Sequence, residues 1–332
     1  MAASYHTGTA ANPTDLLQGI VTWLITQGWT QDMSQADGDG WRAHLHKSGV
    51  YVNLRATANT VIFPSLGAVA APGIGLYLGT GYDAGQAWNL QPGRPQGYGQ
   101  SYTVGSFMRL PSGAILGWRG FDDGADNIVV VVERTGGIFT HLGFGLSVEK
   151  VGTWTGGPYF FAALGARYGG WDGMAGDAAS NAACPFGVVQ REDYGIYSSY
   201  GYAGYVRADV DSHTGGWVGF SNDTASAQEG YPGVAGGSGI DLFPGAGGSY
   251  DWSFPTYTGL SSVLVSDMNE QAVLLPVHLY AKRDSGGYSL IGSLRHVYDC
   301  GAVGHGFLAA ATYTIGPKTF MLFPHFAVLK AA

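Results

Sequence analysis

Apolar residues near the start of the chain recur with the period of an α-helix. They lie three or four positions apart and form one stripe, which consists of Leu16, Leu17, Ile20, Val21 and Leu24. Asn12 is a good N-cap, Pro13 suits the first helical position, and Gly28 suits the end of a helix. The sequence therefore predicts an amphipathic helix over about residues 13–27, with its stripe buried against a sheet or another chain.

After an acidic segment at residues 31–40, which we predict to be a loop, the apolar residues alternate with a period of two. Residues 41–55 form a predicted hairpin that turns at Ser48 and Gly49, and a Val-rich run followed by a Gly turn predicts a second hairpin over 127–148. Further predicted strands cover 61–63, 75–82, 101–108, 114–121, 273–281, 288–294, 306–315 and 319–329. This pattern is typical of a β-rich fold built from hairpins.

The middle of the chain differs from both ends. Residues 156–267 contain shorter strand-like pieces and are dominated by Gly, Ser, Asn, Asp and Tyr. We therefore predict that residues 1–155 and 268–332 form one main domain around a Gly/Tyr-rich, loop-heavy β insertion or lobe. The predicted class is mainly β, or β-rich α+β, with antiparallel, sandwich-like sheets and one N-terminal amphipathic helix.

Composition supports a folded, β-rich chain and opposes several classes of function. The 332 residues include 55 Gly; 45% are hydrophobic, 13% aromatic and only 12% charged. The net charge is −8 and the basic residues are scattered, so we expect no direct nucleic-acid partner. No apolar run approaches the length of a membrane-spanning helix, and the N-terminus lacks a secretory pattern, so we expect no membrane span and assembly in the cytoplasm.

The motifs of common catalytic and cofactor sites are missing from the sequence. It contains neither a GxSxG nucleophile turn nor a Gly-rich phosphate loop, and we expect no catalytic residue, cofactor or metal. His44 and His46 would share one face of a strand, as two metal-binding imidazoles could, but no third ligand is specified. The acidic loop 122–126 could supply oxygen ligands to calcium, although it lacks the order of an EF-hand.

One segment suggests a recognition surface. Tyrosines alternate with Gly and Ser in a composition that gives a large contact area on an adaptable backbone. The predicted partner-binding residues are Tyr194, Tyr197, Tyr200, Tyr202, Tyr205 and, nearby, Trp217. A strand-and-turn region with partly buried tyrosines is the alternative interpretation.

Two stretches resemble virion structural proteins of tailed double-stranded DNA bacteriophages. They are NIVVVVERTGGIFTHLGFGLSVEKVGTWTGGPYFFA, and PVHLYAKRDSGGYSLIGSLRHVYDCG followed by YTIGPKTFMLFPHFAV. The opening helix, which ends in Gln-Gly-Trp-Thr, also fits tail and baseplate proteins. The resemblance implies a non-enzymatic component of the virion, in the tail, baseplate or fibre attachment, that assembles with copies of itself and other virion proteins.

Three alternatives stay open at the level of sequence. A capsid decoration protein would fit the same composition. A receptor- or carbohydrate-binding tail protein would bind a host-surface glycan through stacking platforms such as Trp171, Trp217 and Trp252. A polysaccharide hydrolase would need a pair of carboxylates, for which Asp209 and Asp211 are candidates.

Overall fold

A computed structural model describes most of both ends of the chain and parts of its middle. The described residues are 3–63, 70–96, 103, 105–110, 114–135, 137–162, 164–165, 204–210, 213–221, 240–241, 274–282, 288–301, 310–323 and 325–332. Within these ranges there are twenty strands, one α-helix and a single 3₁₀ turn at Trp88–Leu90. The prediction of a mainly β protein is confirmed.

The single α-helix, α1 (Pro13–Thr26), has its ends fixed by the local sequence. Asn12 Oδ1 accepts a hydrogen bond from Asp15 N at 2.9 Å, and Asp15 Oδ2 accepts one from Ala11 N at 2.8 Å. The first bond satisfies a backbone donor that a helix N-terminus leaves free, and the second ties the residue before the cap to the first turn. At the other end Gly28 adopts a φ of +83°, the left-handed conformation that terminates helices.

The smaller of the two sheets has six strands, and they are all paired antiparallel in the order β12-β6-β5-β4-β3-β2. Its strands are β2 (Thr30–Asp37), β3 (Gly40–Lys47), β4 (Val50–Thr57), β5 (Gly73–Gly79), β6 (Ser106–Arg109) and β12 (Leu164–Gly165). Strand β5 carries glycine at three of four positions on one face, and a Cβ on Gly75 would lie 2.4 Å from Ile62 Cγ2. The bare backbone therefore lets the segment before β5 pack directly onto the sheet.

The larger sheet has fourteen strands, paired antiparallel except for β14 with β15. Its first strands are β1 (Ser4–Gly8), β7 (Ile115–Asp122), β8 (Asn127–Arg134), β9 (Ile138–Gly145), β10 (Glu149–Lys150), β11 (Thr155–Ala162), β13 (Gly204–Val210) and β14 (His213–Ser221). The others are β15 (Ile240–Asp241), β16 (Leu275–Lys282), β17 (Tyr288–Gly301), β18 (Thr312–Ile315), β19 (Lys318–Phe323) and β20 (His325–Ala331). The order is β1-β7-β8-β9-β11-β13-β14-β15-β16-β17-β20-β19-β18, and β10 also pairs with β17.

The large sheet folds back on itself, so the described strands form three layers around two hydrophobic cores. The first core lies between its β7–β14 half and the small sheet with α1, and the second lies between that half and strands β16–β20. Val130 and Val132 belong to the first core, and Val129 and Val131 to the second. Strand β8 is therefore apolar on both faces, which explains its continuous valine run.

Three sequence-based assignments were wrong. Residues 31–40 are not a loop, because β2 pairs with β3 along this segment; its polar composition reflects an edge strand. Residues 61–63 form a bend, and Phe63 is buried because it packs under β5. The predicted single strand over 319–329 is two antiparallel strands, β19 and β20, and Pro324 stands between them in the sequence.

The middle portion contributes to the main sheet. Strands β13 and β14 lie in the predicted insertion, yet they continue the large sheet directly from β11. The boundaries near residues 155 and 268 stay predictions, and most of the segment between them lies outside the described residues.

Candidate functional site

The structure places the two described members of the predicted tyrosine surface inside the protein. Tyr205 is 2% exposed and Trp217 is 7% exposed, and both rings pack against Phe160 in the first core. Trp217 Nε1 also donates a hydrogen bond to Gly93 O at 2.8 Å. In this conformation the two rings therefore contact their own chain instead of presenting an open surface. Tyr194, Tyr197, Tyr200 and Tyr202 lie outside the described residues.

The other sequence-based candidates in the middle portion are only partly described. Asp209 is exposed and accepts a hydrogen bond from Thr155 Oγ1 at 3.0 Å, but Asp211 lies outside the described residues. Trp171 and Trp252 also lie outside them. The carboxylate pair and two of the three stacking platforms therefore stay predictions, while Trp217 has the buried position given above.

The acidic turn between β7 and β8 is bound into the protein. Burial raises the pKa of Asp122, against the effect of a hydrogen bond from Gly124 N. Burial alone would also raise the pKa of Asp123, but His296, Asn127 and Ala125 outweigh it, so this pKa lies below its usual value. Asp123 Oδ2 accepts a hydrogen bond from Asn127 Nδ2 at 2.6 Å. These carboxylates are therefore engaged in local bonds that fix the turn.

The same turn connects the three layers. Asp126 forms an ion pair with Lys47, whose Nζ also donates a hydrogen bond to Gln27 O at 2.6 Å. This ammonium therefore joins the small sheet, the end of α1 and the acidic turn. On the other side, His296 Nδ1 of β17 lies 3.3 Å from Asp123 Oδ2. We conclude that the acidic turn acts as a structural junction.

A polar surface on the small sheet has a more open arrangement. Ala43, Leu45, Val52 and Leu54 face the first core, so the alternate residues of β3 and β4 lie on the opposite face. We call this the polar face, and it consists of Arg42, His44, His46, Tyr51, Asn53 and Arg55. The cross-strand register pairs His46 with Tyr51, His44 with Asn53, and Arg42 with Arg55.

The central row of the polar face is covered, whereas the rows on either side of it are more accessible. His44 Nδ1 lies 2.6 Å from Asn53 Oδ1, its ring is 5.1 Å from that of Tyr82, and burial lowers the pKa of His44. In the first row His46 Nδ1 lies 2.9 Å from both Asp32 carboxylate oxygens and its ring is 5.1 Å from that of Tyr51. Among the described residues, no three His, Cys, Asp or Glu side chains are grouped to hold a metal ion.

The third row places two arginines next to each other. Arg55 Nε lies 3.1 Å from Asp37 Oδ2. With the amide oxygen of Gln35 turned towards the guanidinium, Arg42 Nε and Nη2 donate to it at 3.2 and 2.8 Å. The alternation in the sequence puts both arginines on one face, but only the register of β3 against β4 makes them neighbours.

A second accessible surface is apolar and lies where β10 pairs with β17. Val151 is 50% exposed and Leu290 is 37% exposed, and Val151 N donates a hydrogen bond to Ile291 O at 2.8 Å. The partly buried Trp154 bonds to the same carbonyl at 2.9 Å, and Lys150 Nζ lies 4.7 Å from its ring centroid. We call Val151, Trp154 and Leu290 the apolar patch. Val151 and Leu290 are large apolar side chains that remain exposed at this strand pairing in the described part of the chain.

No protein-family model matches the sequence, and comparison with curated proteins finds no match. Among the described residues, no helix has the length and apolar character needed to cross a membrane. The features that bear on function are the polar face, the apolar patch and the resemblance in sequence.

Proposed function

We propose that this protein is a non-enzymatic structural component of the virion of a tailed bacteriophage, in its tail or baseplate. It would assemble in the host cytoplasm with copies of itself and with other virion proteins. The observation that carries the proposal is the apolar patch on a chain with very few charged residues. Burial of such a patch between subunits would stabilise an assembly at little electrostatic cost.

The position of the phage-like stretches supports this proposal. The first contains the β8–β9 hairpin, whose valines contribute to both cores, and the second contains β17, β19 and β20 of the outer layer. Both stretches contribute residues to the apolar patch, since Val151 and Trp154 belong to the first and Leu290 to the second. The resemblance and the patch therefore concern the same part of the structure.

A second copy of the chain is the occupant that we assign to the apolar patch. A stable homodimer buries on the order of 800 Å² on each subunit, so the patch would form the centre of a larger contact. In a two-fold assembly each patch would meet its own copy, and charged substitutions at its centre would be duplicated across the interface.

Light scattering coupled to size-exclusion chromatography tests this proposal. We expect the wild-type chain to elute at a multiple of 34.8 kDa, and Val151→Lys with Leu290→Lys to shift it towards the monomer. Leu116→Lys is the matched control, because Leu116 is 53% exposed on β7 and should leave the mass unchanged. A wild-type chain that stays monomeric at tens of micromolar and binds no virion protein would contradict the proposal.

A further inference from the structure

The third row of the polar face carries an excess of positive charge. Arg42 and Arg55 are directly opposite each other on β3 and β4, so their Cβ atoms are about 4.5–5.5 Å apart. Like charges in this position destabilise a sheet unless an anion lies between or beside them. An anion bound at this row would therefore offset the repulsion between the two guanidinium groups.

Among the described residues, carboxylates balance only part of this charge. Asp37 lies beside Arg55, whereas the contact given for Arg42 is the neutral amide of Gln35. The positive charges of Arg94 and Arg42 both act to lower the pKa of Tyr77, although burial has the larger effect and raises it. Among the described residues, neither Arg42 nor Arg94 has a carboxylate partner.

The donors of this group are incompletely used. The Nε atoms of Arg55 and Arg94 are buried and have no hydrogen-bond partner, as judged over the part of the chain that the structure describes. The Arg55 contact with Asp37 is thus an ion pair without the geometry of a hydrogen bond at Nε. Buried donors of this kind normally find an acceptor, and a planar oxyanion matches the fork of a guanidinium.

We propose that the polar face binds an acidic saccharide, with a sugar carboxylate held by Arg42 and Arg55. The inference deepens the proposed virion role by naming a partner class, a carboxylate-bearing glycan of the host surface. It rests on that role only because the virion would present the polar face to the host surface. The binding chemistry depends on the arginines and on the aromatic row beside them.

The first row supplies the second half of the site. Tyr51 and His46 are four residues along their strands from Arg55 and Arg42, which corresponds to about 13 Å. Both rings are partly exposed, and an aromatic ring at this distance can stack on a further sugar of the same oligosaccharide. Asp32, beside His46, can accept hydrogen bonds from sugar hydroxyls.

The charges around the site favour a saccharide over a nucleic acid. Asp32 and Asp37 border the face, and the whole chain carries a net charge of −8. Asp32 and Asp37 can accept hydrogen bonds from sugar hydroxyls, whereas the phosphate backbone of DNA offers them no donor and is repelled by them. The site therefore fits a sugar carboxylate at the arginine row with hydroxyl-rich sugar rings beside it.

Isothermal titration calorimetry of the full chain with tetragalacturonate tests the inference. We expect saturable binding, and at least tenfold weaker binding of the carboxyl-reduced, neutral tetrasaccharide. Arg42→Gln should weaken tetragalacturonate binding at least tenfold, and Arg42→Lys should weaken it because the bidentate fork is lost. Arg119→Gln is the matched control, because Arg119 pairs with Glu133 on the large sheet and should leave binding unchanged.

The aromatic row has its own test. Tyr51→Ala should weaken binding of tetragalacturonate several-fold but leave binding of galacturonate monomer unchanged, because only the longer ligand reaches the ring. Thermal unfolding of each variant checks that it is folded, and Arg42→Lys serves if Arg42→Gln does not fold.

Four outcomes would overturn the inference. They are no binding of tetragalacturonate, equal binding of the neutral tetrasaccharide, inorganic phosphate binding as tightly as tetragalacturonate, and tighter binding of a DNA oligonucleotide. Light scattering on the same samples measures assembly independently of saccharide binding, so failure of the inference can be told apart from failure of the proposed virion role. Loss of saccharide binding in an assembled protein contradicts only the inference, and binding by a monomer contradicts only the proposed assembly.

Discussion

Acid should destabilise this protein through one buried imidazole, that of His141. The side chain lies in the middle strands of the large sheet, with ring centroids 6.0 Å from Phe161 and 5.0 Å from Phe326. Its Nε2 atom has no hydrogen-bond partner in the described part of the chain. Burial lowers the pKa of His141 from 6.5 to about 3, so the folded protein keeps this ring neutral.

The sign and size of the effect follow from proton linkage. Between pH 6.5 and about 3 the unfolded chain binds a proton at His141 that the folded chain does not bind. The protein is therefore not destabilised by this group above pH 6.5, and its free energy of unfolding decreases as the pH falls below that value. The free energy of unfolding should decrease by about 2 kcal/mol between pH 7 and pH 5, and by about 1.4 kcal/mol for each further unit. Burial lowers the pKa of His44 as well, which adds to the same trend.

Replacement of His141 by Phe isolates its share of the pH dependence. We expect the free energy of unfolding, measured with urea, to fall between pH 7 and pH 5 by about 2 kcal/mol more in the wild type than in His141→Phe. Phe326→Leu is the matched control, because it perturbs the same core without a titratable group and should lower stability equally at both values. If the Phe ring overpacks the site, His141→Leu serves the same comparison.

Parallel curves for the wild type and both His141 variants would refute this reasoning. Nuclear magnetic resonance provides an independent check, because the His141 ring should stay neutral in the folded protein at pH 5. A ring that titrates near pH 6.5 in the folded state would show that water or a polar partner reaches it.

Two further substitutions test the packing of the layers by chemical denaturation. Gly145→Ala should cost about 2–3 kcal/mol, because its Cβ would lie 2.0 Å from Asn127 Oδ1 and 2.6 Å from Tyr159 Cε1. Gly216→Ala should be nearly neutral, because no atom of the described residues lies within 4 Å of its added Cβ, and equal effects of the two substitutions would contradict this explanation. Lys47→Met should cost about 1–2 kcal/mol, because it removes the hydrogen bond to Gln27 O and leaves Asp126 unpaired. Its control is Lys318→Met, because the Lys318 ammonium has no ion-pair partner among the described residues. A similar loss of stability in Lys318→Met would show a general charge effect.

Local signals in the sequence were sufficient for the elements that depend on near neighbours. The predicted helix at about residues 13–27 corresponds to α1 at Pro13–Thr26. The cap, the proline and the apolar stripe that indicate this helix all act over a few residues. The hairpin predicted over 41–55 corresponds to β3 and β4, since the turn at Ser48 and Gly49 lies between two alternating runs. The polar edge strand β2 was missed because its residues carry no apolar alternation.

The positions of Trp217 and of the apolar patch depend on contacts between residues that are distant in the sequence. Nothing near Trp217 indicates that its ring bonds to Gly93, 124 residues earlier, so its burial in the core could not be predicted. The same is true of the apolar patch, where Val151 meets β17 through Ile291. Sequence patterns indicate which face of a strand is apolar, but not which strand will cover it.

Local sequence patterns were sufficient to predict the mainly β class, the capped helix, the valine-rich strand and the position of Arg42 and Arg55 on the face away from the core. Tertiary contacts are needed to explain that the large sheet folds back to form two cores, that the two arginines are adjacent, and that His141 is enclosed with no partner for Nε2 among the described residues. The difference arises from the range of the interactions along the sequence. Capping, turn geometry and alternation act between residues close in sequence, whereas register and layer packing are set by contacts summed over the whole chain.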